Sequence, residues 1–476
     1  MTLELRLERP LPASIPVGVS TAVFCVGSCF HPEELIERLE ILVDGVPHPV
    51  SAHGMPRPDV AAAHGAGATS FFSGFWGTVP IPAHAREGAA RLEVLATLAS
   101  GIPVQAPLGQ LEVRDPDVAA STVAPQPPGT IVICMATFEP DEALFRAQVQ
   151  SLRAQTDDRW ICVISDDCSR PEHFALIVDV VGGEERFTVD RSQQRLGFYR
   201  NFERALTLVP AGIELVALCD QDDRWEPDKL ITLRGAIGDS VAAYSDLRLV
   251  EADGRVLRET FWEGRRNNYD NLASMLIANT MTGAASLFRR DLIDLALPFP
   301  DTPGFQFHDH WLAVMALSAG TVSYVDRPLY DYVQHPGAVF GDVTHGAGPR
   351  ARRPRPLWRA GYFFGYLSRE GQAQAALIRC APRLTPAKRR ALEWFIACDT
   401  SWLALLWLLV RPLRRVLGHT ETLGTEIELA QGVVWKRLTA LRARHWRRRL
   451  GILADAGIPP PQAFVQKRLR RWRARV

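Results

Sequence analysis

Three hydrophobic patterns succeed one another along the chain. Up to residue 114, short apolar runs alternate with turn signals: Leu3 to Leu7, Thr21 to Val26, Leu39 to Val43, Ser70 to Val79, Ala90 to Leu98 and Gln110 to Val113. This rhythm predicts a β-sandwich, with Asp44-Gly45 as a hairpin turn. Phe71, Phe72, Phe75 and Trp76 suit the core of such a sandwich better than a sugar-binding platform, so residues 1–114 read as an accessory module. Residues 115–129, rich in Pro, Ala and small polar residues, read as a linker. From Thr130 the period changes. Thr130 to Met135, Trp160 to Ser165, Phe187 to Asp190 and Leu215 to Cys219 predict strands, and Glu142 to Ala154, Pro171 to Val181 and Tyr199 to Leu208 predict helices between them. The alternation predicts a doubly wound α/β domain over residues 130–345, with ligands at the carboxyl ends of its parallel strands.

Residues 346–476 follow a third pattern, mostly helical, with seven of the twelve tryptophans set among Arg, Leu and Ala. The net charge of +1 hides an asymmetry: from Arg350 onward there are 27 Lys or Arg against 7 Asp or Glu, leaving 27 against 46 before it. Glu393 to Val410 is the most apolar stretch, but Asp399-Thr-Ser401 interrupts it. It falls short of the ~20 residues a spanning helix needs, so a buried or interfacial helix is expected. The basic faces at Arg411 to Arg415, Arg442 to Arg449 and Lys467 to Arg475 suit an anionic membrane surface; the alternative is a helical face packed on the acidic remainder of the chain. Nucleic acid is not expected, because no recognition motif accompanies the arginines. The N-terminus lacks the basic-then-apolar order of a secretion signal, giving the expectation of a cytoplasmic protein, peripheral on the inner face of the cell membrane. Eight scattered cysteines read as buried thiols, and Cys25 and Cys29 lack the second pair that a zinc site needs.

The chemistry gathers at predicted strand ends. Leu215 to Cys219 empties into Asp220, Asp222 and Asp223, three carboxylates within four positions that call for a compensating cation. A divalent ion holding a diphosphate is the simplest candidate; the alternative is an acidic turn capping the helix that Pro227 starts. Thr137 and Glu139 follow the first strand, and Asp166 and Asp167 the second. Asp309 lies between His308 and His310 ahead of the apolar Trp311 to Ala319, where an N-cap is the plain alternative. The two histidines, two apart, do not share a helix face and so do not suggest zinc.

With these motifs the chain resembles the inverting family 2 glycosyltransferases of GT-A fold, and most closely their rhamnosyltransferase-like branch. The resemblance covers Thr130 to Gly341 and rests on Met135-Ala-Thr-Phe-Glu139, Ser165-Asp-Asp-Cys-Ser169, Arg195-Leu-Gly-Phe-Tyr-Arg-Asn201, Cys219-Asp-Gln-Asp-Asp-Arg-Trp225 with Lys229, Gly283 in Thr-Gly-Ala, His308-Asp-His-Trp311 and Gln334-His335. It implies a GT-A doubly wound, mixed/parallel sheet and sugar transfer from a nucleotide diphosphate sugar, dTDP-rhamnose as the first guess, to a cell-surface glycan acceptor, lipid-linked. Thr137, Glu139, Asp166 and Asp167 would bind the nucleotide. Asp220 and Asp222 would hold Mg²⁺ or Mn²⁺, with His335 as a further ligand although Val333 stands where an Arg is usual. Asp309 would be the catalytic base, and Asp223, Trp225, Lys229, Gly283, His310 and Trp311 would support the donor and acceptor sites. Gln221-Asp-Asp-Arg-Trp225 also fits a motif of processive synthases, but there it belongs downstream of the base, so processive synthesis is set aside. Two rivals stand outside transfer: a metal phosphohydrolase of nucleotide sugars, and a carbohydrate-binding scaffold without activity.

Overall fold

The computed structural model describes residues 2–64, 67–115, 126–304, 306–335 and 359–455. The N-terminal part is two facing sheets. One is ordered Glu4–Leu7, Thr21–Phe30, Gly74–Ile81, Ala52–Met55; the other Ser14–Pro16, Pro103–Arg114, Gly88–Leu98, Ile36–Val43, Val46–Pro49. Val23, Val79 and Ile81 of the first meet Ile41, Leu92 and Val94 of the second in one buried cluster. Asp44 and Gly45 take φ of +48° and +83°, as the two-residue loop between Ile36–Val43 and Val46–Pro49 requires. Cys25 and Cys29 are buried, and burial pushes both thiols up to about 12, which disfavours the thiolate a metal needs. One expected strand is corrected. Ser70 to Val79 divides into a helical turn, Ala68–Phe71, and the strand Gly74–Ile81. The Phe71 carbonyl accepts from Arg57 N at 2.7 Å, and Phe71 and Phe72 are buried from that turn, so a continuous apolar run concealed a change of backbone.

Among the described residues the central sheet has nine strands, one of which, Val256–Arg258, lies off the main order, antiparallel to Ala242–Glu251. Ile131–Thr137 lies parallel to Trp160–Asp166 and to Leu215–Cys219, and Phe187–Arg191 continues the parallel half beyond Trp160–Asp166. Past Leu215–Cys219 come Ser286–Arg289, antiparallel to it, then Ala242–Glu251, Val322–Gln334 and the two-residue Arg224–Trp225. A parallel half joined to a mixed half is the GT-A-like α/β fold that the resemblance implies. The crossover helices form where expected. Asp141 caps Glu142–Arg153, accepting from Ala143 N at 3.0 Å and Leu144 N at 3.1 Å, and the helix buries Phe145, Val149 and Leu152 on the sheet.

The C-terminal helices Arg359–Arg379, Pro386–Ala397, Trp402–Val410 and Thr425–Asp455 pack into the same core: Tyr366, Leu392, Phe395, Leu405 and Val433 cluster with the strands. The apolar stretch breaks into two helices at 398–401, where Ser401 caps the second. Pro354, Pro356 and the run Lys467 to Arg475 lie outside the described residues, as do residues 116–125 of the expected linker and the side chains of Arg447 to Arg449.

Candidate active site

The strand Leu215–Cys219 is buried throughout, and its exit places Asp220 and Asp222, both partly exposed, at the sheet's carboxyl edge. Burial, with the like charges of Asp222 and Asp309 adding to it, pushes the Asp220 carboxyl up to about 7. Asp223 turns inward. Its Oδ1 accepts from Val333 N at 3.2 Å, its Oδ2 has no hydrogen-bond partner among the described residues, and burial raises its pKa well above the ordinary range. Beneath it Lys229 is fully buried, with Nζ 3.4 Å from the Trp225 ring centre and 4.9 Å from that of Tyr330, and donating to the Ala284 carbonyl. Burial lowers its pKa to about 7. Trp225, Lys229 and Asp223 thus support the carboxylate turn from inside the fold.

His335 and Asp222 meet, Nε2 to Oδ2, at 2.9 Å, and the hydrogen bond raises the His335 pKa. Among the described residues, however, no three His, Cys, Asp or Glu side chains converge as a metal-holding group. The expected set of Asp220, Asp222 and His335 is therefore not a closed protein cage. That is still compatible with Mg²⁺ or Mn²⁺, because such ions are commonly held by one or two carboxylates together with substrate phosphates and water. The excess of carboxylate over cationic groups at this edge fits such an ion.

Asp309 is the second residue of the helix His308–Ala319. It accepts from His310 N at 2.6 Å, and hydrogen bonds from the Gly283 backbone and the Asn279 side chain also hold it. Burial outweighs those bonds and pushes its carboxyl up to about 6. The flanking histidines diverge. His308 stacks on Phe202 at 3.7 Å, while His310 Nε2 donates to the Met275 carbonyl at 2.8 Å; burial lowers both to about 3, so both are neutral. Trp311 is buried behind the site, its indole donating to the Ala296 carbonyl at 3.0 Å. His310 and Trp311 thus anchor the helix that carries Asp309. Gly283 is needed for close approach: a Cβ there would lie 2.8 Å from His308 Nε2 and 3.4 Å from Asp309 Cβ.

On the nucleotide side the expected residues are held largely by the protein itself. Thr137, Asp166 and Asp167 are all buried. Asp166 accepts from Ser169 N at 3.0 Å and from its hydroxyl, and Asp167 accepts from Leu196 N at 2.6 Å and Gly197 N at 2.9 Å. Both carboxylates shape loops around the edge. Glu139 remains partly exposed, paired with Arg170 at 2.7 Å. Two residues of this edge carry no role in the sequence-based expectation. Gln221 accepts from Phe138 N at 2.8 Å and donates to Phe138 O at 3.2 Å, tying the carboxylate turn to the first strand. Tyr332, with its pKa raised by burial, also feels the like charges of Asp223, Asp220, Asp222 and Asp309. Its only sequence signal was the alternation Tyr330, Tyr332, Gln334 leading to His335.

Residues 132–295 match the family model described as glycosyl transferase family 2. The match spans the parallel strands and the carboxylate turn and ends before Asp309 and His335. No curated protein matches the chain. Among solved structures, S. aureus TarS 1-349 in complex with UDP-GlcNAc is similar at 15% identity and a TM-score of 0.42, covering 69% of this chain and 92% of that one. The mannosyltransferase PcManGT from Pyrobaculum calidifontis, in complex with GDP-Man and Mn²⁺, is similar at 15% identity and a TM-score of 0.34, covering 66% of this chain and 90% of that one.

Proposed function

We propose that the chain is an inverting glycosyltransferase that moves a sugar from a nucleotide diphosphate sugar to a hydroxyl of a lipid-linked surface glycan, working at the inner face of the cell membrane. The observation that carries this reading is the separation of two carboxylate groups across one sheet edge. Asp220 and Asp222 leave the fourth parallel strand, and Asp309 comes from a helix nearly ninety residues later, poised by burial near neutrality. Asp309 takes the acceptor's proton as that oxygen bonds the anomeric carbon, and the bond from that carbon to the diphosphate breaks on the opposite face. One such displacement inverts the configuration and needs no covalent nucleophile. When bound, Mg²⁺ or Mn²⁺ would neutralise charge on the departing diphosphate, with Asp220 and Asp222 as its protein ligands and His335 positioned through Asp222. Glu139, partly exposed although paired with Arg170, is placed to hydrogen-bond a nucleotide; Thr137, Asp166 and Asp167 set the shape it meets. Rhamnose on dTDP is the first donor to test, by resemblance of the motifs.

The test measures nucleotide diphosphate release across a donor panel with Mn²⁺, with and without a glycan acceptor, and with Asp222→Asn. Acceptor-dependent release that the substitution removes is expected. Release indifferent to acceptor would mean a phosphohydrolase, and transfer unchanged by the substitution would remove the proposed donor site.

A further inference from the structure

The helix Trp402–Val410 and the 3₁₀ turn Arg411–Leu417 that extends it are apolar on two sides. Inward, Ala404, Leu405 and Leu408 join the core. Outward, Leu403, Leu406, Leu409, Leu413, Val416 and Leu417 are 46 to 85% exposed. They recur mostly at intervals of three and four, so they form an apolar ridge that carries no charge along Trp402–Val410 and is flanked by Arg414 and Arg415 at its far end. A helix apolar on both sides is buried in a large core or in contact with lipid; the first does not apply to the outer face. Exposed apolar surface of this extent is what soluble folds avoid unless something covers it.

Beside the ridge, at a 105° bend from the helix Pro386–Ala397, lies a cleft of roughly 440 Å³ lined by Trp394, Trp407, Arg390, Arg411 and Arg414. Arg411 is only 8% exposed. One of its terminal nitrogens donates to Ser274 Oγ at 2.6 Å, its guanidinium lies 5.0 Å from the Trp407 ring centre, and its Nε has no hydrogen-bond partner among the described residues. Arg414 also reaches Ser274, at 3.1 Å, and pairs with the buried Glu421 at 3.3 Å. The buried Glu421 and Glu426 are the counter-charges near Arg411; the cleft itself is lined by arginine, tryptophan, alanine and Asn271, with no acidic side chain among its lining residues. A buried guanidinium with an unmet donor, flanked by indoles and next to an apolar ridge, matches a lipid phosphate whose acyl chains run along the ridge.

We propose that this face docks on an anionic bilayer, the ridge entering the acyl boundary and the arginine–tryptophan cleft taking a phospholipid headgroup phosphate. Among the described residues no single helix is long and apolar enough to cross a membrane; the bent pair Pro386–Ala397 and Trp402–Leu417 reaches that length and apolarity only together. None of these residues belongs to the catalytic edge, which keeps docking separable from sugar transfer.

The experiment uses the full chain with vesicles of phosphatidylcholine alone and of phosphatidylcholine with phosphatidylglycerol, at low and high salt, together with light scattering of the protein alone. The wild type should bind the mixed vesicles preferentially and keep part of that binding at high salt, because the ridge contribution is not screened. The variant Leu406→Glu, Leu413→Glu, Val416→Glu changes only exposed positions; it should keep the wild-type thermal transition and donor affinity while losing at least about tenfold in vesicle affinity. Arg390→Glu should reduce the preference for phosphatidylglycerol. The proposal is overturned if the triple variant binds vesicles like the wild type, if salt alone abolishes binding as for adsorption of a basic tail, or if the ridge changes convert a dimer to a monomer without altering vesicle binding.

Discussion

An aspartate in the first turn of a helix ordinarily gains from the helix dipole and from free backbone N–H groups. Asp309 receives those bonds, yet burial wins and leaves its carboxyl near 6. A base must be ionised to accept a proton, so the sign of the pH effect follows: transfer should fall about tenfold per unit as pH drops below about 6. Asp309→Asn should cost about 10²- to 10⁴-fold in kcat and flatten that acid limb, with donor affinity by calorimetry nearly unchanged. A limb that persists in the Asn variant would assign it to another group. Asp220 and Asp222 stood out in the sequence as candidates because carboxylates at the exit of a buried strand have no packing reason to be there, whereas Asp309 stood out only in company with them, since capping alone would also place an acid ahead of an apolar helix. Orientation was not legible. Asp166 and Asp167 were found, but what they touch is decided by Ser169 and by backbone N–H groups of residues 196 and 197, which only the folded loop brings near. Gln221 bonds a backbone 83 positions away, and Tyr332 looks like any aromatic in a strand.

At the scale of elements, the helix His308–Ala319 and the short turn Gly283–Ala285 depend on each other. The helix is buried from His310 to Ser318, and His308 is clamped against Phe202, so its N-terminus cannot yield to an intruding methyl group. Gly283→Ala would put that methyl 2.8 Å from His308 Nε2. It should cost about 1–3 kcal/mol in urea unfolding and lower the transfer rate by more than a remote variant of equal stability loss. Gly235→Ala, in the helix Lys229–Ile237 with nothing within 4 Å of the new Cβ, is the control; by helix propensity it should be neutral or stabilising by up to about 1 kcal/mol. Equal losses at the two positions would show that the close approach is not what Gly283 provides. Elements with strong period were read correctly: Pro171–Val181 and Leu215–Cys219 match to the residue. The later strands Ala242–Glu251, Ser286–Arg289 and Val322–Gln334 went unread, because their sheet neighbours are distant in sequence and alternation is confined to short pieces such as Tyr330, Tyr332 and Gln334.

At the scale of the molecule, a basic C-terminal region beside an acidic remainder suggests attraction between opposite nets of charge. The contacts show a different bond. Lys436 and Asp399, 5% and 6% exposed, pair at 2.6 Å within the helical region, and Lys436 Nζ also donates to the Ser51 carbonyl of the N-terminal part at 2.7 Å. Arg379 similarly donates to the Ser20 carbonyl at 2.9 Å and the Ala296 carbonyl at 2.7 Å, so one guanidinium joins the sandwich to the central domain. Cations buried in this way act through fixed partners and not through a field. Lys436→Met would leave Asp399 buried without its partner and should cost about 3–5 kcal/mol, whereas adding Asp399→Leu should recover much of the loss, since an apolar pair of similar volume replaces the ion pair. Salt separates the two accounts. Interactions between surface nets are screened within ~3 Å at 1 M salt, while a buried pair is screened far less, so wild-type stability should change little between low and high salt. A steep loss of stability with added salt, together with a mild Lys436→Met, would mean that the helices are held by overall charge after all.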